Sequence, residues 1–181
     1  MINKDNFTVN LLKSYANKQK PAFIKGFLFS FSRTILEIIS PLLIGYLINN
    51  VIKEGMSRDS LILVMALLFV YFIINALAGY FLNKTYVSFE VAANNVAFDI
   101  QNDVYKKVNS FPISYFDNLP AGKISSRITN DTNKVKNMFR LIFSDIITAS
   151  ILILGLIIVI FVTNPIAGLM LLILAPLVYT I

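Results

Sequence analysis

The chain contains no cysteine and no histidine. Disulfides, thiol chemistry, haem ligation and the usual zinc ligand sets are therefore excluded, and no Ser/His/Asp arrangement exists. Charge is scarce too: 14% of the 181 residues are Asp, Glu, Lys or Arg, against 56% hydrophobic, and the mean hydropathy is +0.70. That is too apolar for a soluble domain, and several stretches approach or exceed the roughly 20 residues that cross a bilayer as a helix. An integral membrane protein without a metal site is expected. A phosphate-cradling loop is missing as well, because Gly122-Lys123 is followed by Ile124 and no glycine lies five residues before Gly122. No catalytic residue is expected on this chain. Nor is a cleavable signal: the first long apolar stretch starts near Phe27, carries Arg33 and Glu37, and is followed by no small-x-small site.

The excess of 16 basic over 10 acidic residues does not point to nucleic acid, because the basic residues flank the apolar spans as positive-inside topology places them. Residues 1–25 carry Lys4, Lys13, Lys18, Lys20 and Lys25 against Asp5 alone, the bias of a cytoplasmic amino terminus. Phe7, Leu11, Leu12 and Tyr15 suit an interfacial helix, and a solvated leader is the other reading. Residues 26–181 read as a membrane domain with spans at about 27–52, 61–82, 122–162 and 165–181.

In the first span Arg33 and Glu37 lie four residues apart on one helix face, where pairing avoids the ~2.5–3.5 kcal/mol of a lone charge near mid-bilayer. They read either as a substrate-pathway pair or as a structural pair near the inner interface. Lys53 and Arg58 are cancelled by Glu54 and Asp59 in the loop that follows, which suits the outside. Asn75, the one strongly polar residue of the second span, suits a hydrogen bond to a neighbouring helix and is a third pathway candidate. Beyond Asn83 no glycine or proline appears before Pro112, while Val96, Ile100, Val104 and Val108 keep an apolar stripe beside Asp99 and Asp103. The second span is therefore expected to continue as one helix to about residue 109, some 70 Å from Leu61 at ~1.5 Å per residue. Roughly half of it would stand in the cytoplasm.

Between the long apolar segments lies a polar island, residues 110–139. Pro112 and Pro120 bracket a knuckle of at most about two helical turns, Gly122 makes a break, and Ile124, Ile128, Val135, Met138, Phe139 and Ile142 then trace one face of a returning helix. Asn164-Pro165 predicts a turn with Pro165 in the first turn of a new helix. That last segment stays apolar to Ile181 without a polar stop, so the chain is read as the front part of something longer, the alternative being a fourth span that just fits.

Ser114-Tyr-Phe-Asp-Asn-Leu-Pro-Ala-Gly-Lys-Ile-Ser-Ser-Arg-Ile-Thr-Asn-Asp-Thr-Asn-Lys-Val135 resembles the first intracellular loop of exporter-type ABC transporter transmembrane domains, most of all bacterial multidrug-type half-transporters. Tyr115 departs mildly from an aromatic that is Phe in the family pattern; Phe116, Asp117, Gly122, Ser126, Arg127 and Asp131 match it. The resemblance implies an all-α polytopic bundle with long cytoplasmic helix extensions, holding the first three and part of the fourth of six spans. It implies that the knuckle at 112–120 is a coupling helix, with Ser114, Tyr115, Phe116, Asp117 and Asn118 against an ATPase domain, and that Arg127 and Asp131 tie the base of the returning helix to its neighbours. Asp117 and Asn118 could instead simply form the turn before Pro120.

The function so implied is the membrane part of an ATP-driven exporter of multidrug, lipid or peptide type in a bacterial plasma membrane. Its partners would be a nucleotide-binding domain carrying ATP and Mg, an identical or different second half-transporter, the bilayer and hydrophobic small molecules. No cofactor is expected on this chain. The alternative is a stand-alone four-span scaffold or assembly protein whose 84–140 hairpin docks a cytoplasmic partner.

Overall fold

The computed structural model describes residues 4–52, 58–113, 116 and 120–170, all-helical apart from short turns and with no strand among them. The end of the expected fourth span, beyond Met170, lies outside them. Among the described residues the helices follow in the order α1 (Lys4–Lys18), α2 (Lys20–Leu47), α3 (Arg58–Asn109), α4 (Ala121–Arg140) and α5 (Thr148–Thr163). π-helical stretches continue α2 at Ile48–Ile52 and join α4 to α5 at Leu141–Ile147. Among the described residues three helical runs, Lys20–Asn50, Ser60–Asn109 and Gly122–Thr163, are long and apolar enough to cross a membrane.

Each boundary has a local cause. Pro21 sits in the first turn of α2, where its missing N–H has no helical acceptor to lose. Pro41 lies inside α2 and removes the donor that the Glu37 carbonyl would otherwise receive, yet the helix continues through it. The 52 residues of α3 contain no proline, so nothing interrupts a rod of about 78 Å at ~1.5 Å per residue. The break before the returning helix falls at Pro120, whose extended backbone (φ −53°, ψ 129°) caps α4; Gly122, expected to make that break, lies inside the first turn instead. At the far end Asn164 Oδ1 accepts from the amides of Ile166 and Ala167 at 3.1 and 3.2 Å. It thereby caps a helical segment over residues 165–170 that starts on Pro165.

The chain forms two compact units, one of Met1–Phe27 with Thr85–Ile147 and the other of Leu28–Lys84 with Thr148–Ile181. The first has an aromatic core. Phe89, Ala92, Ala93 and Val96 on α3 follow the i, i+3, i+4, i+7 rule of a single face and are almost fully buried. Phe23 and Phe27 of α2 meet them, as do Phe139 and the Phe143 that follows α4, with Phe23 and Phe143 ring centroids 4.3 Å apart. Along the returning helix Ile128, Thr132, Phe139, Ser144 and Thr148 are buried, and only the step from Phe139 to Ser144 is five residues long. That step falls in the Leu141–Ile147 stretch, where the extra residue of a π turn rotates the buried stripe by one position.

The leader is not an unattached solvated segment. Leu12, Tyr15 and Ala16 of α1 pack on the same core, Tyr15 donates its hydroxyl to Asp103 Oδ2 at 2.8 Å, and Asn95 donates to Gln19 Oε1 at 3.0 Å. The bond to Asp103 raises the Tyr15 pKa above its ordinary value, and burial and the negative charges of Asp103 and Asp99 push the same way. The docked helix thus prefers the protonated phenol. Its contribution is complete below the phenol's free value of about 10 and is lost as pH rises through the higher docked value. Subsistence of α1 on α3 should therefore weaken above about pH 10, read as faster cleavage after residues 13–18 by an alkali-tolerant protease. Tyr15→Phe should show that faster cleavage already at neutral pH and lose the alkaline step; a Tyr15→Phe protein as resistant as wild type would contradict the assignment.

The second unit is built inside out relative to a soluble domain. Phe69, Phe72, Ile62, Met65, Leu154 and Ile158 are more than 60% exposed, while Ser30, Thr34, Ser40 and Thr148 are buried. Such a surface suits hydrocarbon rather than water, and buried hydroxyls can hold helices together there. Together with the three spanning runs it makes this a multi-pass membrane protein.

Candidate functional site

Polar residues on α2 recur at Ser30, Arg33, Thr34, Glu37 and Ser40, one face of the helix by the i, i+3, i+4, i+7 rule. Arg33 Nε lies 2.8 Å from Glu37 Oε1, with 18% and 31% of the two side chains exposed. One turn further on, Asn75 of α3 donates to Ser40 Oγ at 2.9 Å and to the Tyr71 carbonyl at 2.8 Å. The three pathway candidates named from sequence therefore belong to one polar seam. Arg33 and Glu37 pair with each other, and Asn75 joins the seam through Ser40. On α5, Gly155 closes the seam's flank, since a Cβ there would lie 2.6 Å from Ile38 Cδ1 and 3.4 Å from Thr34 Cγ2. The Ser30 hydroxyl is buried without a hydrogen-bond partner among the described residues. Sequence reading missed Ser30, Thr34 and Ser40, although their helical spacing with Glu37 was available as a signal.

The polar hairpin belongs to the other unit. Tyr105 and Ser125 hydroxyls lie 2.8 Å apart, and Gln101 donates to Thr129 Oγ1 at 3.4 Å, one turn further along each helix in opposite directions. α3 and α4 are thus antiparallel and locked in register. Lys136 Nζ to Glu90 Oε1, at 2.7 Å, adds an ion pair between the two rods. Asp103 joins the network between helices by accepting from the Tyr15 hydroxyl. These partners were invisible in the sequence because each bond joins residues 20 to 88 positions apart.

Arg127 and Asp131 are placed differently from the expected tie between helices. Arg127 Nε lies 3.8 Å from Asp131 Oδ2, Lys134 Nζ lies 3.1 Å from Asp131 Oδ1, and all three side chains are exposed on α4. Their i, i+4 and i, i+3 spacing makes this a network within one helix, and exposed pairs of that kind contribute only about 0.3–0.5 kcal/mol each. Both residues also rim a groove of about 460 Å³ between α3 and α4, floored by Ile100, Val104, Ile124, Ile128 and Val135.

At the tip, among the described residues, the Phe116 amide donates to the Ile113 carbonyl at 2.9 Å, which makes a tight turn there. Ile113 is 84% exposed and Phe116 half-buried. Ser114, Tyr115, Asp117 and Asn118 lie outside the described residues. Among the described residues no group of three or more acidic side chains could hold a metal ion. What the arrangement offers is mechanical: two rods bonded to each other across their facing sides.

Residues 23–181 match the family described as the ABC transporter transmembrane region. The chain is 30% identical over 168 residues to the multidrug resistance-like ATP-binding protein MdlB of Buchnera aphidicola subsp. Acyrthosiphon pisum (strain APS), covering 92% of this chain and 28% of that protein. To the MdlB of Buchnera aphidicola subsp. Schizaphis graminum (strain Sg) it is 32% identical over 125 residues, 69% of this chain and 21% of the other. A probable multidrug resistance ABC transporter ATP-binding/permease protein, YheH of Bacillus subtilis (strain 168), shares 37% over 67 residues, 37% of this chain and 10% of its own. The chain thus spans less than a third of the length of these relatives.

Proposed function

Because the chain belongs to the ABC transporter transmembrane-region family, we propose that it is the front part of the membrane domain of an ATP-driven, multidrug-type exporter. The observation that carries this reading is the α3–α4 hairpin. Two long helices, held in register by Tyr105–Ser125, Gln101–Thr129 and Lys136–Glu90, can deliver a push at their tip to their far ends, because helices are stiff and the cross-bonds resist sliding. The tip carries Phe116, with Ser114, Tyr115, Asp117 and Asn118 around it in sequence.

On this reading the tip docks on a nucleotide-binding domain that holds ATP and Mg. That domain belongs to the same or a paired polypeptide, and a second half-transporter, identical or different, completes the pathway. The relatives' names supply the multidrug class; hydrophobic small molecules would pass along the Arg33–Glu37–Asn75 seam rather than react. The membrane is a bacterial plasma membrane and the amino terminus is cytoplasmic, in keeping with the basic leader.

In the full protein, Phe116→Ala should leave ATP hydrolysis within about twofold of wild type while transport falls by more than tenfold, the scale of losing an interfacial aromatic anchor. Transport in proportion to hydrolysis would refute the coupling role. Within the same experiment, Asn118→Cys should label only from inside and Gly55→Cys from outside; the reverse would overturn the orientation.

A further inference from the structure

The apolar run of the returning helix begins at Leu141, immediately after Arg140, and that of α3 ends at Leu82, four residues before Tyr86. Arg140 and Tyr86 thus both stand where hydrocarbon gives way to headgroups. A groove of about 310 Å³ lies between them, lined by Tyr86, Val87, Glu90, Val91, Arg140 and Ser144.

Three observations say what it is built for. Ser144 is 2% exposed and its hydroxyl has no hydrogen-bond partner among the described residues, a costly state that a ligand oxygen can relieve. Glu90 is already neutralised by Lys136 at 2.7 Å, whereas Arg140 makes no ion pair among the described residues, so the groove carries one net positive charge. Ser144 also lies in the π-helical Leu141–Ile147 stretch, the irregularity that carries its side chain to the buried face. Asp145, the acid beside it, does not line the groove.

We propose that this groove binds the phosphodiester headgroup of an anionic glycerophospholipid. Arg140 donates to the phosphate oxygens, and the hydroxyls of Ser144 and Tyr86 supply the remaining donors. Val87 and Val91, both about half exposed, present the apolar wall that continues toward the acyl chains. A single uncompensated guanidinium matches one phosphodiester charge, so a monoanionic headgroup of the phosphatidylglycerol type fits better than a zwitterionic one. The site is independent of the transport reading, since it needs only the membrane position of Arg140.

The full protein, purified in mild detergent, is titrated with dioleoyl phosphatidylglycerol, dioleoyl phosphatidylcholine and inorganic phosphate, and adducts are counted by native mass spectrometry. Phosphatidylglycerol should bind about fivefold more tightly than phosphatidylcholine, the scale of one arginine at a membrane surface. Arg140→Gln should abolish that preference and Arg140→Lys keep part of it. Val87→Trp, which fills the groove without changing charge, should weaken phosphatidylglycerol binding, and Lys107→Gln, an equal loss of charge on the exposed end of α3, should not. The proposal is overturned if Arg140→Gln binds like wild type or if Lys107→Gln loses as much. It is overturned equally if inorganic phosphate displaces the lipid at matched concentration, which would make this a site for a free anion.

Discussion

Gly26→Ala should destabilise the protein by about 2–3 kcal/mol, the upper range for overpacking a filled core. The added methyl would meet Cε1 of Phe89, with Cδ1 and Cζ only 2.7 and 2.8 Å away. Phe89 cannot swing clear, because it is 1% exposed and its ring packs on those of Phe23, Phe27 and Phe143. Gly45, in the same helix, has nothing among the described residues within 4 Å of the position a Cβ would take. Gly45→Ala should therefore be neutral or stabilising by up to about 1 kcal/mol through helix propensity alone. Apparent Tm in detergent separates the two variants, and equal values would show that the aromatic core does not depend on close approach at Gly26.

Glu37→Leu should cost about 3 kcal/mol by leaving the Arg33 guanidinium, 18% exposed, without its 2.8 Å partner in a membrane span. Arg33→Leu should cost less. The Glu37 side chain it leaves behind is the more exposed of the two, 31% against 18%, and so is the less completely desolvated charge. The double variant should recover most of the stability, as buried ion pairs replaced by apolar residues commonly do. Its transport activity then separates the two readings of the pair. Lost export in a stable double variant assigns Arg33 and Glu37 to the pathway, whereas normal export makes them a structural pair. Additive rather than compensating costs would mean that the two charges do not act as a unit.

Much of the architecture was legible from one-dimensional features. The absence of glycine and proline between Asn83 and Pro112 foretold that α3 runs on to Asn109, because nothing there interrupts its hydrogen-bond ladder. Asn164-Pro165 foretold a helix start for the same kind of local reason. The Arg33–Glu37 pair followed from i, i+4 spacing alone, and Asn75 found the partner helix that an amide in an apolar span requires. Arg127 and Asp131 show the limit of such spacing. It correctly places them on one face, but it does not say whether that face meets another helix or water.

The amino-acid sequence by itself determined that this is an all-helical, multi-pass membrane protein with a rigid polar hairpin, because hydropathy and the positions of proline and glycine act within a few residues of themselves. Only the tertiary structure decided which faces meet. α1 docks on α3 through Tyr15 and Asp103, 88 positions apart. Gly26 makes room for Phe89 and Gly155 for Ile38. The π turn at Leu141–Ile147 moves the buried stripe from Phe139 to Ser144. Each of these depends on two distant segments reaching the same place, and the energy of a close approach, a ring stack or a displaced register exists only once both are there.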